Sequence, residues 1–383
     1  MERVYLDWNA TAPLRPEARA AMLAALDLCG NPSSVHREGR AARKLVEAAR
    51  SEVAALAGAE PQNVIFTAGA TEANMLALTP ALEQPQDHTP RGRLLISAIE
   101  HPSVRAAGRF GAAEEIPVDR RGVADLDALR SMLQQGGRPL VSIMLANNET
   151  GVVQPVREAA ELVHEAGGLM HVDAVQGPGR ISVDMKALGA DLLTLSAHKL
   201  GGPKGVGALV LREGIHLAEP LIRGGGQERG TRAGTENVPA IAGFGAAARA
   251  AAAGWQAEAA RMEVLRDRLE RDLLAVTPGA VIFGREARRL PNTCLFAAAG
   301  LKAETAVIAF DLEGVAVSSG AACSSGKVQP SHVLAAMGAD PALARAAVRV
   351  SLGPTTQGSE LENFQNAWIK LAKLLLKGRE RAA

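Results

Sequence analysis

The chain has 383 residues, and its 42 Lys and Arg against 41 Asp and Glu leave a formal net charge of +1. That length allows one large domain with a smaller one, and the balanced charge gives no electrostatic reason to expect nucleic acid or an anionic membrane as a partner. Hydrophobic residues make up 47% of the chain, yet charges interrupt each apolar run short of the roughly 18 residues a bilayer span requires, so no membrane segment is expected.

The opening residues, MERVYLDWNA, carry an acid at Glu2 and lack the basic start and apolar core of a signal peptide, which makes the cytoplasm the expected compartment. PEARAAMLAALDLCG and REGRAARKLVEAARSEVAALAG read as helices, with Pro16 suited to a first turn. From residue 60 to 212, apolar β-rich runs alternate with amphipathic stretches. The predicted strands are NVIFT (63–67), RLLISAI (93–99), PLVSIMLA (139–146), GLMHVDA (168–174), DLLTLSA (191–197) and GVGALVL (205–211). TEANMLALTPAL and REAAELVHEAGG, the latter closed by glycines, read as helices between them. This alternation predicts an α/β layer with a mostly parallel sheet. Residues 237–276 are Ala-rich and read as one long or broken helix leading toward a smaller domain. A strand (NTCLFAAAG), a helix (LKAETAVIAFDL), a strand (RAAVRVSL) and a final amphipathic helix (LENFQNAWIKLAKLLLK) follow.

Chemistry concentrates at the predicted strand ends, where open α/β sheets place their ligands. One strand ends at Asp173, and a later one at Ser196, His198 and Lys199 before a Gly/Pro-rich turn. A lysine and an acid converging there suit pyridoxal phosphate: the lysine forms a Schiff base, and the carboxylate keeps the pyridine nitrogen protonated. TAGATEAN (67–74) follows a strand and opens a helix, so the backbone N–H groups of Gly69, Ala70 and Thr71 with the Thr71 hydroxyl could hold a phosphate. Read alone, it is more simply a plain strand-to-helix turn with Thr71 as the cap, and the lysine motif reverses that preference. His101, in SAIEHPSV, could stack on a flat ring and relay protons. Asn148, in ANNETG, could hydrogen-bond the ring oxygen or the substrate, and Gln176 is a second candidate for the ring oxygen. Arg349, on a predicted strand, offers a carboxylate two parallel hydrogen bonds.

Cys29, Cys294 and Cys323 are odd in number and widely spaced, which argues against a disulfide framework or a closed zinc site. Cys29 and Cys294 are expected to be packing residues. Cys323 differs, because its neighbours in SSGAACSSG (318–326) are too small to enclose it. The segment reads either as a linker with an incidental thiol or as a thiol that travels.

Together these segments resemble the cysteine desulfurases of the NifS/IscS type, in the class V aminotransferase group of fold-type I pyridoxal phosphate enzymes. YLDWNATAP, GNPSSVHREG, FTAGATEAN, EHPSV, NNETG, HVDAVQ, SAHKLGGPKGVGAL, GGGQERGTRAGTENV, SSGAACSSG and RVSLG carry the resemblance, in order, over nearly the whole chain. It implies a large domain (15–255) with a mostly parallel seven-stranded sheet flanked by helices, and a smaller α+β domain (1–14 and 256–383) carrying the Cys323 loop. Lys199 would attach the cofactor, Asp173 would pair with the pyridine nitrogen, Gln176 would bond the ring oxygen and His101 would stack on the ring. Ala70, Thr71, Ser196 and His198 would hold the phosphate with Thr235 from the second subunit of a homodimer. Asn31, Asn148 and Arg349 would bind the carboxylate of L-cysteine. Cys323 would take the sulfur as a persulfide, with L-alanine as the other product, and pass it to an acceptor such as an iron-sulfur scaffold.

No metal is implied at the cofactor site, although Cys323 could serve as a transient iron-sulfur ligand. The resemblance implies no membrane and no direct nucleic-acid partner. A selenocysteine lyase, another class V enzyme or a catalytically silent sulfur-relay or scaffold protein are the alternatives. Two segments differ from the housekeeping members of the group: PTTQGSE follows the RVSLG segment, and the tail after the last helix, KGRERAA, is short.

Overall fold

The computed structural model describes residues 3–85, 87–320 and 331–380, excepting the side chains of 374–380. Its centre is a seven-stranded sheet made of β1 (Val64–Thr67), β2 (Arg93–Ser97), β3 (Glu114–Ile116), β4 (Pro139–Ser142), β5 (Leu169–Asp173), β6 (Leu192–Ser196) and β7 (Gly207–Leu211). The spatial order is β1-β7-β6-β5-β4-β2-β3. β7 runs antiparallel to both its neighbours and the other pairings are parallel, so every other strand ends on one edge of the sheet.

The predicted strands appear as unbroken apolar runs because the sheet is covered on both faces. Successive residues alternate between two cores: Val141, Met170, Val172, Leu193, Leu195 and Val210 point into one, and Leu140, Leu169, Leu192 and Leu209 into the other. On the first face the helices Pro16–Leu26 and Arg37–Ala57 pack against Val238–Ala252. Gly245 is required at that contact, since a Cβ there would lie 2.5 Å from the Ala49 Cα. The Ala-rich stretch is broken, as one of its two readings had it: Val238–Ala252 and Trp255–Val276 are separate helices.

A second, four-stranded antiparallel sheet holds β8 (Val281–Ile282), β9 (Thr293–Ala297), β10 (Ser318–Ser319) and β11 (Val348–Ser351), in the order β8-β9-β11-β10. Its core joins Val4 and Leu6 to residues from Leu269 onward, with Ile99 as a contact from the strand-end region of the large sheet. Phe296 packs edge-on against Trp368, with ring centroids 5.1 Å apart, and Phe310 stacks on Phe364 at 5.0 Å. Among the described residues no helix is long and apolar enough to cross a membrane.

Two local expectations are corrected. The helix predicted over 71–82 stops at Ala77, because Pro80 cannot continue it, and Leu82–Glu83 instead pairs as a short strand with His216–Leu217. Cys29 is exposed rather than packed, since its helix ends at Leu26. Cys294 is buried as expected, and burial pushes its thiol far above the usual range. The Cys323 segment, 321–330, lies outside the described residues.

Phe296→Ala should cost about 3–5 kcal/mol by leaving a cavity among these rings, measured as a lower guanidinium midpoint of unfolding.

Candidate active site

The shared strand edge opens into a cavity of about 830 Å³. Its wall includes Ala70, Thr71, His101, Asn148, Asp173, Gln176, Ser196, His198, Lys199 and Arg349, drawn from both sheets and the loops after five strands. Asp173 is the last residue of β5, and the turn Ala197–Lys199 directly follows β6. After β1, Gly69 caps the helix Ala70–Ala77, so Thr71 lies in the first turn, where backbone N–H groups have no intrahelical acceptor. Gly69 and Gly207 meet backbone to backbone: a Cβ on Gly207 would lie 2.7 Å from the Gly69 carbonyl carbon.

Asp173 is held from two sides. Its Oδ2 accepts from the Asn74 amide at 2.9 Å, and its Oδ1 from the Val175 N–H at 3.1 Å. Asn74 also donates to Ser103 Oγ, which bonds His101 Nδ1 at 2.8 Å, so acid and imidazole share one chain of hydrogen bonds. Burial depresses the His101 pKa against the pull of the Asp173 charge. His198 is pushed down to about 4, by burial first and then by Lys199 and Lys204. Both imidazoles are therefore neutral at pH 7. Lys199 Nζ donates to the Asn9 and Ala10 carbonyls at 2.6 and 2.9 Å. Gln176 donates to the same Asn9 carbonyl at 3.2 Å and accepts from Arg180.

Across the cavity, Arg349 of β11 is 2% exposed; Nη1 donates to the Asn148 carbonyl at 2.9 Å and Nη2 to Asp7 Oδ1 at 2.8 Å. Its Nε is buried without a partner, a donor suited to an incoming anion.

Among the described residues, two expected at the site do not line this cavity. Asn31 is exposed in the loop between the first two helices, where its side-chain oxygen accepts from the Ser33 N–H at 2.9 Å. Thr235 is exposed beside a neighbouring cavity of about 220 Å³ that shares Ala68 and Gly205 with the first. Its loop is tied down by Arg232, which donates to Glu72 at 2.8 Å, and by Glu228, whose buried carboxylate accepts from Arg50 at 2.7 and 3.0 Å.

Asn9, Asn74 and Lys204 are not directly legible as site residues in the sequence. Asn74 stands one helical turn beyond Ala70 on the same face, a periodicity that could have found it. For Asn9 no local signal exists, because its partners lie in other segments.

The class-V aminotransferase pattern matches residues 4–364. The chain belongs to that family. Its relatives include a cysteine desulfurase of Cereibacter sphaeroides, 46% identical over 95% of this chain and 94% of that protein, and cysteine desulfurase IscS 1 of Archaeoglobus fulgidus, 40% identical over 91% of each. The X-ray structure of a NifS-like protein from Rickettsia africae superposes with a TM-score of 0.88 at 34% identity, covering 97% of this chain and all of that one. Pyridoxal phosphate is the cofactor of such class-V enzymes, and the cavity suits it. Its volume lies within the roughly 300–1,000 Å³ typical of ligand sites, with an amine at Lys199, an acid at Asp173, open backbone donors at Ala70 and Thr71, and no protein atom where a Gly69 side chain would project.

Beneath the wall, Glu100 is wholly buried and its pKa is raised to about 8, chiefly by burial. Ser97 Oγ and the Met144 N–H donate to Oε1 at 2.5 and 2.7 Å, and Oε2 has no partner. The unfolded chain ionises this group from about pH 4.3, whereas the folded chain keeps its proton. Stability from this residue should therefore fall as pH rises from about 4.3 to 8, by up to about 1.4 kcal/mol per unit, and level off above. Urea titrations of Glu100→Gln across that window should lack this component of the slope.

Proposed function

We propose that this chain is a cysteine desulfurase that binds pyridoxal phosphate at the strand ends and converts L-cysteine to L-alanine. The observation that carries the reading is the meeting of Lys199, Asp173 and Arg349, from two different sheets, in one cavity, in a chain 46% identical to a protein named cysteine desulfurase. In this reading residues 15–255 form the cofactor-binding part, and residues 1–14 with 256–383 form the smaller part carrying Cys323. It works in the cytoplasm as a homodimer, with Thr235 of each subunit serving the partner's site.

When bound, the cofactor withdraws electrons from the substrate carbons through its ring. Lys199 would anchor it covalently, and its amine would serve as the base for the substrate's α-proton. Asp173, oriented by Asn74, holds a proton at the pyridine nitrogen, and Gln176 bonds the ring oxygen. Ala70, Thr71, Ser196 and His198 hold the phosphate. A neutral imidazole can both take and give a proton, which suits His101 as relay. Arg349 and Asn148 orient the substrate carboxylate. The Cys323 thiolate attacks the substrate sulfur, and as the S–S bond forms the Cβ–S bond breaks; its electron pair stays with Cβ, which takes up a proton to become the methyl group of alanine, and the outer sulfur of the Cys323 persulfide then passes to an acceptor protein such as an iron-sulfur scaffold.

Protein reconstituted with pyridoxal phosphate should release alanine from L-cysteine. Lys199→Ala should lose the absorbance of covalently held cofactor and about 100- to 10,000-fold of kcat. Cys323→Ser should keep that absorbance yet gain no sulfur by mass spectrometry. Undiminished alanine release by Lys199→Ala would refute the proposal.

A further inference from the structure

Asp7 lies just outside the cavity wall, yet it pairs with the cavity residue best suited to a carboxylate. Its Oδ1 accepts from Arg349 Nη2 at 2.8 Å, and its Oδ2 accepts from Ser318 Oγ at 3.0 Å. Ser318 and Arg349 are direct partners across β10 and β11, so one carboxylate spans both strands. Nη1 of Arg349 is committed to the Asn148 carbonyl, and Nε has no partner. Nε and Nη2 form the side-on edge of a guanidinium, the edge that can grip a carboxylate with two parallel hydrogen bonds. Asp7 is bonded to half of that edge and supplies the charge that balances it.

Accepting that Arg349 binds the substrate carboxylate, on which this inference rests, we propose that Asp7 is a positioning residue: the resident counter-ion of Arg349 that limits how tightly the site holds a carboxylate. A guanidinium this deeply buried is costly without a partner charge, so Asp7 keeps Arg349 paired and aimed between turnovers. An arriving carboxylate then meets a cation already balanced, must share Nη2, and is repelled by the neighbouring acid. Cysteine and alanine carry the same carboxylate, so the damping acts on both and favours release of the product.

The test is calorimetric titration of the cofactor-loaded protein with 3-mercaptopropionate and with 3-mercaptopropionamide, which has the same shape without the charge. Asp7→Asn keeps an acceptor oxygen for Arg349 and removes the negative charge. It should tighten the acid about 3- to 10-fold and leave the amide within about twofold, the size expected when one competing charge is removed. KM for L-cysteine should fall in parallel. Arg349→Met should weaken the acid to the level of the amide; if it leaves the acid unchanged, the carboxylate role of Arg349 fails, and this inference with it. If Arg349→Met weakens the acid while Asp7→Asn weakens it or leaves it alone, the counter-ion role by itself is overturned. Asp7→Ser, also able to accept from Arg349, carries the same expectation should the asparagine variant not fold. Failure of both variants to fold, judged by circular dichroism, would make Asp7 a structural tether and overturn the inference.

Discussion

Asn9 is buried where the two sheets meet, and all of its polar atoms bond across that joint. Its backbone carbonyl accepts from Lys199 and Gln176, its backbone N–H donates to Ser351 Oγ, its amide nitrogen donates to Thr293 Oγ and the Asn148 carbonyl, and its side-chain oxygen accepts from Asn292. A buried amide stripped of a partner costs about 1–3 kcal/mol, so the segment cannot slide without breaking several such bonds together. That constraint sets where Lys199, following β6, stands relative to Arg349, on β11. The cavity is the space left between two sheets locked at this seam.

Burial then decides the charge state of the groups around it. Lys199, Lys204 and Arg349 place cations on the wall, where an anionic cofactor and substrate would sit, while desolvation keeps His101 and His198 uncharged. Below the wall, His171 is pushed down to about 4 by burial and bonds Ser142 and Thr194, and Glu149 is raised to about 7 by burial despite a bond from Ser331 and the charge of Arg349. At pH 7 His171 is therefore uncharged, whereas Glu149 stands near the midpoint of its titration.

The fold was legible because its signals are local. Apolar runs such as LLTLS and LMHVD show a strand buried on both faces, and the amphipathic stretches between them show the crossover helices. The edge strand Glu114–Ile116 was not read, since three residues with two exposed glutamates carry no apolar pattern. The helix after Thr71 was read too long because Pro80 ends it before the apolar pattern does. In the site, Asp173, His198 and Lys199 could be named from their places at strand ends. Asn31 rests on resemblance alone, and in its loop the side-chain oxygen accepts from the Ser33 N–H instead of reaching the cavity.

Which segments become strands, that the sheet is covered on both faces, and which side chains stand at its carboxyl edge can be read from the chain alone, because side-chain period and chain direction are properties of a few consecutive residues. That Arg349 shares a cavity with Lys199, that Asp7 pairs with Arg349, and that Asn9 joins the two sheets emerges from packing in three dimensions. Those contacts link residues more than a hundred positions apart in sequence, and they exist because the two sheets pack in one arrangement that no local propensity encodes.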